Sequence, residues 1–344
     1  MLKRLRPASR FQRPDDPLVR IRRAARVKTK ASFAEALRRL RASIDRDKLV
    51  ADVKAGNAHG ALEHLDLGSL RERVREAYAP VVDAFNRAAA IGAKAIGQAL
   101  ASRVRKDTTA PYDPPQDAFA FDLFDQGVLD EVQEWQDALI TALSDDARQV
   151  VFQAIIDGVK AGEDPSAIAA DILNVVGLND QQAQALMNYQ SALANLNAAA
   201  LDPKLRDASF DDMVASAIDS GSPLSDAQIS DLVDAYADRL IAYRADTIAQ
   251  TETSRAVNAG LQASYAQAID RGVIPAEAVK QYWLVAPGDR EEDACDECAD
   301  MSADGIPLDA QFECSDGDFH APPEHPRCQC TLKIRTNVDM LGPQ

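Results

Sequence analysis

Chemistry-bearing side chains are scarce in this chain and crowded near its end. All five cysteines lie between Cys295 and Cys330, spaced Cys295-x2-Cys298, then Cys314, then Cys328-x-Cys330, with His325 three residues before Cys328. A C-x2-C turn brings two thiolates to one tetrahedral zinc ion at ~2.3 Å without backbone strain. Two groups from a distant loop complete such a set, and His325, Cys328 and Cys330 are the residues with compatible spacing. His325 with Cys330 is the preferred pair and Cys328 the substitute, leaving Cys314 as the odd residue and His320 without a role. One structural Zn2+ per chain is therefore expected, because a closed four-ligand site performs no reaction and contributes its binding energy to the fold. Disulfides fit less well: a cytoplasmic chain is reducing territory, and an odd count strands one thiol.

Catalytic patterns are hard to find. Nucleobase deaminases place H-x-E before P-C-x-x-C, whereas here the C-x2-C comes first; the H-E-x-x-H helix of zinc peptidases is missing as well. His59 and His64 stand far upstream, and a zinc-stapled nuclease would need more histidines than His320. The stretch "QTETSRAVNAG" (250–260) puts Thr251, Arg255 and Asn258 on one helix face, with Glu252 able to pair with Arg255 at i,i+3. No nucleophile with a neighbouring base is present. The expectation is no enzyme; the rival is a metal-dependent nuclease or an ADP-ribosyltransferase-like enzyme using Glu252 and Arg255, and a third reading is a zinc-knuckle adaptor.

The elements that must position these residues are mostly helices. Aromatics are 6% and alanine is abundant, which favours helix over a sandwich of strands. Capping boxes at Ser32/Glu35 and Ser69/Glu72 mark helix starts, with a kink expected near Pro80. Further helices are expected over 127–143, 144–161, 165–176 and 179–200, and a long one over 225–270 with Ser225, like Asn179, as N-cap. The alanine-rich end of the helix after Pro80 suits close helix–helix packing. "KQYWLVAPG" (280–288) and "CTLKIRTNV" (330–338) have strand composition, bracket the cysteines and read as an antiparallel pair. The domain reading is an arm at 1–30, helices at 31–105, a proline-rich linker at 106–119, a helical domain at 120–270 and a small α+β zinc-bearing domain at 271–344. The fold class is thus mainly α, ending in a β-hairpin with a metal-stapled loop.

Charge is unevenly spread. Residues 1–30 carry eleven Lys/Arg against two Asp, while the whole chain is at −16. An acidic body repels a polyanion, so nucleic-acid contact falls to a flexible basic arm: Lys3, Arg4, Arg6, Arg10, Arg13, Arg20, Arg22, Arg23 and Arg26. No apolar run reaches the ~18 residues of a membrane span, and the basic start lacks the apolar core of a secretory signal.

Taken in order, these pieces resemble the phage Mu F-like minor head protein (head morphogenesis) family. The resemblance rests on "QTETSRAVNAG", the Trp283 strand "YWLV", "CDEC" (295–298) and "PPEHPRCQC" (322–330), and spans roughly residues 150–336. Two positions depart from the family pattern: Gln250 stands where Arg usually precedes Thr-Glu, and Arg327 precedes Cys328 where the family has C-R-C. The resemblance implies a minor capsid, virion structural protein. Its partners would be the portal protein and other head proteins, with DNA possible through the arm and no membrane or small-molecule substrate. It would sit in the virion head, or in the host cytoplasm during assembly, and act in head morphogenesis and DNA packaging or ejection.

Overall fold

The computed structural model describes residues 13, 15–107, 119–286, 298, 305–314 and 317–341. The chain is mainly helical, at 71%, as its alanine content requires. Among the described residues ten α-helices follow in order: α1 (Pro17–Ala42), α2 (Arg46–Lys54), α3 (Ala58–Glu63), α4 (Leu67–Ala77), α5 (Ala79–Asp107), α6 (Gln126–Ala161), α7 (Pro165–Val175), α8 (Asp180–Ala194), α9 (Asp211–Ser220) and α10 (Asp226–Asp270). The strands are β1 (Val279–Leu284), β2 (Phe312–Cys314), β3 (Gly317–Phe319) and β4 (Thr331–Thr336).

These elements form two compact units, neither a continuous stretch of chain. One comprises residues 1–29, 78–133 and 247–344; the other comprises 30–77 and 134–246. The expected end-to-end series of domains is therefore replaced by two discontinuous units, because α1, α6 and α10 each contribute residues to both. The linker at 106–119 lies almost wholly outside the described residues.

The basic arm is corrected too. From Pro17 onward it is the first half of α1, with Leu18, Val19, Ile21, Arg22, Ala25 and Thr29 buried. Those positions repeat at helical spacing and continue through Phe33, Leu37 and Leu40, so one apolar stripe runs the length of the helix. Ser32 and Glu35 consequently sit inside α1 and start nothing. Arg13, Arg20 and Arg23 are exposed, Arg26 is half-buried and Arg22 is buried. Lys3, Arg4, Arg6 and Arg10 lie outside the described residues.

In the helical unit the expected caps at Asn179 and Ser225 are present. The Asn179 side chain accepts from the Gln182 N–H while Gln182 reaches back, and Ser225 and Gln228 make the same exchange. Asp66, not Ser69, caps α4: its carboxylate accepts from the Ser69 N–H at 2.9 Å. The break expected near Pro80 falls at Tyr78, between α4 and α5. Helices expected separately over 127–143 and 144–161 are continuous as α6. The core gathers Phe33, Leu49, Leu70, Ile172, Leu178, Leu186 and Leu193.

In the strand-bearing unit α5 and α10 pack almost backbone to backbone. A Cβ on Gly260 would lie 2.3 Å from the Phe85 carbonyl oxygen, and one on Gly92 would lie 1.9 Å from Ser264 Oγ. Only glycine permits that approach, which places one face of α10 firmly against α5. Beyond α10, β1 pairs antiparallel with β4, Trp283 opposite Leu332, as the two β-rich stretches predict. Trp283 packs edge-on to Phe312, ring centroids 5.3 Å apart. β2 and β3 add a short hairpin in the intervening segment.

Candidate metal centre

Between β1 and β4 the described residues hold only the short β2–β3 hairpin as regular structure, so side chains must tie them down. Gln281, fully buried in β1, does this at one end. Its backbone bridges Ile306, and its Nε2 donates to the carbonyls of Pro307, Leu308 and Ala310 at 2.9–3.2 Å.

At the other end α10 is the anchor, through the motif residues. His325-Pro326-Arg327-Cys328 forms a tight turn in which the Cys328 N–H donates to the His325 carbonyl at 3.1 Å. Arg327 has φ +66°, so proline followed by a left-handed residue matches a type II turn whose usual glycine is missing. Such a backbone persists only when its surroundings hold it, and three bonds from α10 do so. The Arg327 N–H donates to Thr251 Oγ1 (3.1 Å), the Arg327 carbonyl accepts from Gln250 Nε2 (2.6 Å), and its guanidinium donates to Thr247 Oγ1 (3.2 Å). Gln250 and Arg327 therefore meet each other directly. Two turns further on, buried Asn258 donates to the carbonyls of Pro322 (3.1 Å) and Cys330 (3.4 Å) and accepts from the Leu332 N–H (2.8 Å).

Glu252 and Arg255 pair as expected, at 2.8 Å. Glu252 also accepts from the Tyr78 hydroxyl at 2.8 Å. Burial, reinforced by the Glu252 carboxylate, pushes the Tyr78 phenol upward, so it keeps its proton and donates.

The turn sets His325 and Cys328 beside Cys298, and the ligand atoms of these three lie within 4.8 Å of one another; this group could hold a metal ion. Cys298 Sγ is 3.9 Å from Cys328 Sγ and 3.9 Å from His325 Nε2. Tetrahedral zinc would ask for ~3.8 Å between sulfurs and ~3.6 Å between sulfur and nitrogen, so the observed separations are close to ligating ones. His325 Nδ1 lies 3.0 Å from the Pro326 carbonyl. That contact suits an Nδ1–H donor and leaves the Nε2 lone pair toward Cys298, the usual outer-shell arrangement of a metal-bound histidine.

The preference between Cys328 and Cys330 is thereby reversed. Cys330 is buried next to β4 and is not in the group. Two residues separate His325 from Cys328, which lets one turn present both; Cys330 already follows the direction of the strand. Cys295 lies outside the described residues. Cys314 is not in the group either; burial, then the Glu324 and Asp318 carboxylates, push its thiol up to about 12. His320 takes no part, its Nε2 lying 3.2 Å from the Gln311 amide.

Two neighbours escape a reading from spacing. Glu324 is buried, and its carboxylate lies 3.2 Å from Cys298 Sγ; its adjacency to His325 was the only available hint. Arg22 comes from the far end of the sequence, and its guanidinium donates to the Gln329 carbonyl and, at 3.3 Å, to that of Cys330. Burial pushes this guanidinium down to about 10, against the opposing influence of the Cys328 and Cys330 sulfurs.

No helix among the described residues is long and apolar enough to cross a membrane. Comparison with protein-family models, curated proteins and solved structures finds no match to this chain.

Proposed function

We propose that this chain is a minor head protein of a tailed phage. In this reading it acts near the portal in head assembly and in DNA packaging or ejection, and its C-terminal module is stapled by one structural zinc ion. The observation that carries the reading is that motifs about 70 residues apart in sequence are one physical object. The Thr-Glu helix grips the H-P-x-C-x-C loop through Gln250, Thr251 and Asn258. A resemblance built from scattered short matches has no reason to produce that clasp.

Cys298, His325 and Cys328 would hold the ion, with Cys295 as fourth ligand by its C-x2-C spacing. A thiolate-rich set with one imidazole suits zinc. When bound, the ion supplies folding energy and rigidity to a loop-rich surface. The protein's own residues do the positioning: Thr251 and Gln250 hold the turn, Gln281 holds the opposite end of the loop, and Asn258 ties it to β4. Glu252, saturated by Tyr78 and Arg255, fits a fixed structural role better than a reacting one.

The reading expects a portal gene beside this one, and the test is co-expression of the two proteins followed by sedimentation. Co-migration with portal assemblies is the expected result, and a chain that sediments alone would remove the head-protein reading. Metal content of the natively purified chain, by mass spectrometry, tests the zinc separately: about one equivalent is expected, and none would end that part of the proposal.

A further inference from the structure

We infer that this chain binds further copies of itself head to tail, the outward face of α1 on one copy seating in a groove beside α10 on the next. The groove belongs to the strand-bearing unit and encloses about 710 Å³. Its floor is a side of α10 other than the one that Gly260 and Ser264 press against α5. Ala259, Ala263, Ala266 and Ile269 recur there at helical spacing, and Pro307 and Leu308 also line it. Such small alkyl side chains let another helix approach toward the ~8 Å end of interaxial distances. Gln262, the one side-chain amide inside, is committed: its Nε2 donates to Gln281 Oε1 at 3.1 Å and to the His320 carbonyl at 3.4 Å. The floor therefore offers alkyl surface rather than the convergent polar groups that orient a small molecule. Around it stand Glu131, Asp270, Glu277 and Asp309, all exposed, and among the described residues no lysine or arginine lines the groove.

The complementary surface is on the chain itself. The buried stripe of Leu18, Arg22, Ala25 and Thr29 leaves the opposite side of α1 outward, and Arg20, Arg23, Ala24, Val27 and Lys28 are exposed there. Val27 is 71% exposed, three cations flank it, and α1 carries no acid before Glu35. A small apolar knob with a basic border thus matches an alkyl floor with an acidic one. The chain's own groove is out of reach of this face. Arg22, on the buried side, donates to the Gln329 and Cys330 carbonyls, which turns Val27 away from the unit that α1 packs on. A second copy is therefore the occupant. The net charge of −16 does not forbid the contact, because at ~0.1 M salt the Debye length is about 10 Å and local complementarity decides. Since the two faces differ, the contact is heterologous, and copies join into a ring or a filament rather than a closed pair.

The experiment is analytical sedimentation of the full chain over a concentration series. The wild type should form species beyond the dimer at ~0.1 M salt and lose them at ~1 M, where screening acts within about 3 Å. Arg20→Glu with Arg23→Glu reverses one face, and Asp270→Arg with Asp309→Arg reverses the other; all four positions are exposed. Each pair alone sets like charges against each other and should weaken association about 10-fold or more. An equal mixture of the two, in which opposite signs meet again, should restore it. A wild type that stays monomeric at every concentration would overturn the inference. So would association that survives both reversals, or a mixture that stays dissociated, since either means that these two faces do not meet. Should a reversed variant fail to fold, Val27→Asn decides: it keeps every charge and removes the apolar knob, so association should weaken, and unchanged association would overturn the assignment. None of these outcomes depends on the metal reading.

Discussion

The two units are stabilised by different physics. The helical unit hides Phe33, Leu37, Leu186 and Leu193 behind capped helices, so non-directional apolar burial carries it. The strand-bearing unit has such a core around Phe85 and Ile96. Its loop-bearing end, however, is held by single directional bonds from Gln250, Thr251, Asn258 and Gln281, beside a group of side chains that could hold a metal ion. Apolar packing tolerates many residue choices and degrades gradually. A clasp of individual bonds and ligands has few substitutes, and losing one member exposes the others.

For the proposed metal-bound chain, the largest effect should follow metal removal. Structural zinc sites are worth about 10–16 kcal/mol of apparent binding energy, so chelation, or Cys298→Ser with Cys328→Ser, should unfold the loop between β1 and β4. Hydrogen exchange should accelerate by orders of magnitude over residues 305–341 while the amides of α8 keep their protection. Equal acceleration in α8 would break the comparison.

Next comes Leu186→Ala, a fully buried side chain of the helical unit. It should cost about 4 kcal/mol in denaturant unfolding yet leave zinc affinity unchanged, and a shift in affinity would mean that the two kinds of stabilisation are not separable. Asn258→Ala should cost about 3 kcal/mol, since it strands the Leu332 N–H and loop carbonyls. It should also weaken zinc binding, the reverse of the pattern for Leu186. Asn179→Ala, which deletes the α8 cap, should cost about 1 kcal/mol, read from the same unfolding curves.

The smallest effect concerns Asp171 in the helical unit. Burial raises its carboxyl above the ordinary 3.8, partly opposed by hydrogen bonds from Gln190 and Glu163. The folded state therefore binds this proton more readily than the unfolded chain does. Its contribution favours folding as pH falls through the raised value and is complete below the ordinary one. Asp171→Asn should flatten this part of the pH dependence between neutral and mildly acidic urea titrations; an identical slope in both proteins would assign the dependence to other groups, the likewise raised Glu163 first.

Much of this was legible from local signals. Helix caps are encoded within four residues, so Asn179 and Ser225 could be identified by inspection, and strand composition located β1 and β4. The metal-ligating turn was visible as spacing, but not the choice between Cys328 and Cys330, which depends on where β4 begins. Ser32 misled because a capping box is also an ordinary surface pair inside a longer helix. By residue type Arg22 reads as a surface cation like Arg20 and Arg23, although it falls on the stripe of Leu18, Ala25 and Thr29. Its burial is decided by a loop more than 300 residues away. The discontinuous units were hidden for the same reason, since no local pattern says where a long helix passes from one core to the next.

The aromatic pair at the heart of the strand-bearing unit has an optical consequence. The chain has two tryptophans: Trp283 is 2% exposed against Phe312, and Trp135, in the helical unit, is partly exposed. Each unit thus carries its own intrinsic fluorophore, one in a dry environment that emits toward the blue and one wet enough to emit further to the red. Unlabelled protein reports on both halves at once, and a Trp135→Phe variant turns the remaining emission into a direct gauge of order around β1 and its neighbouring loop.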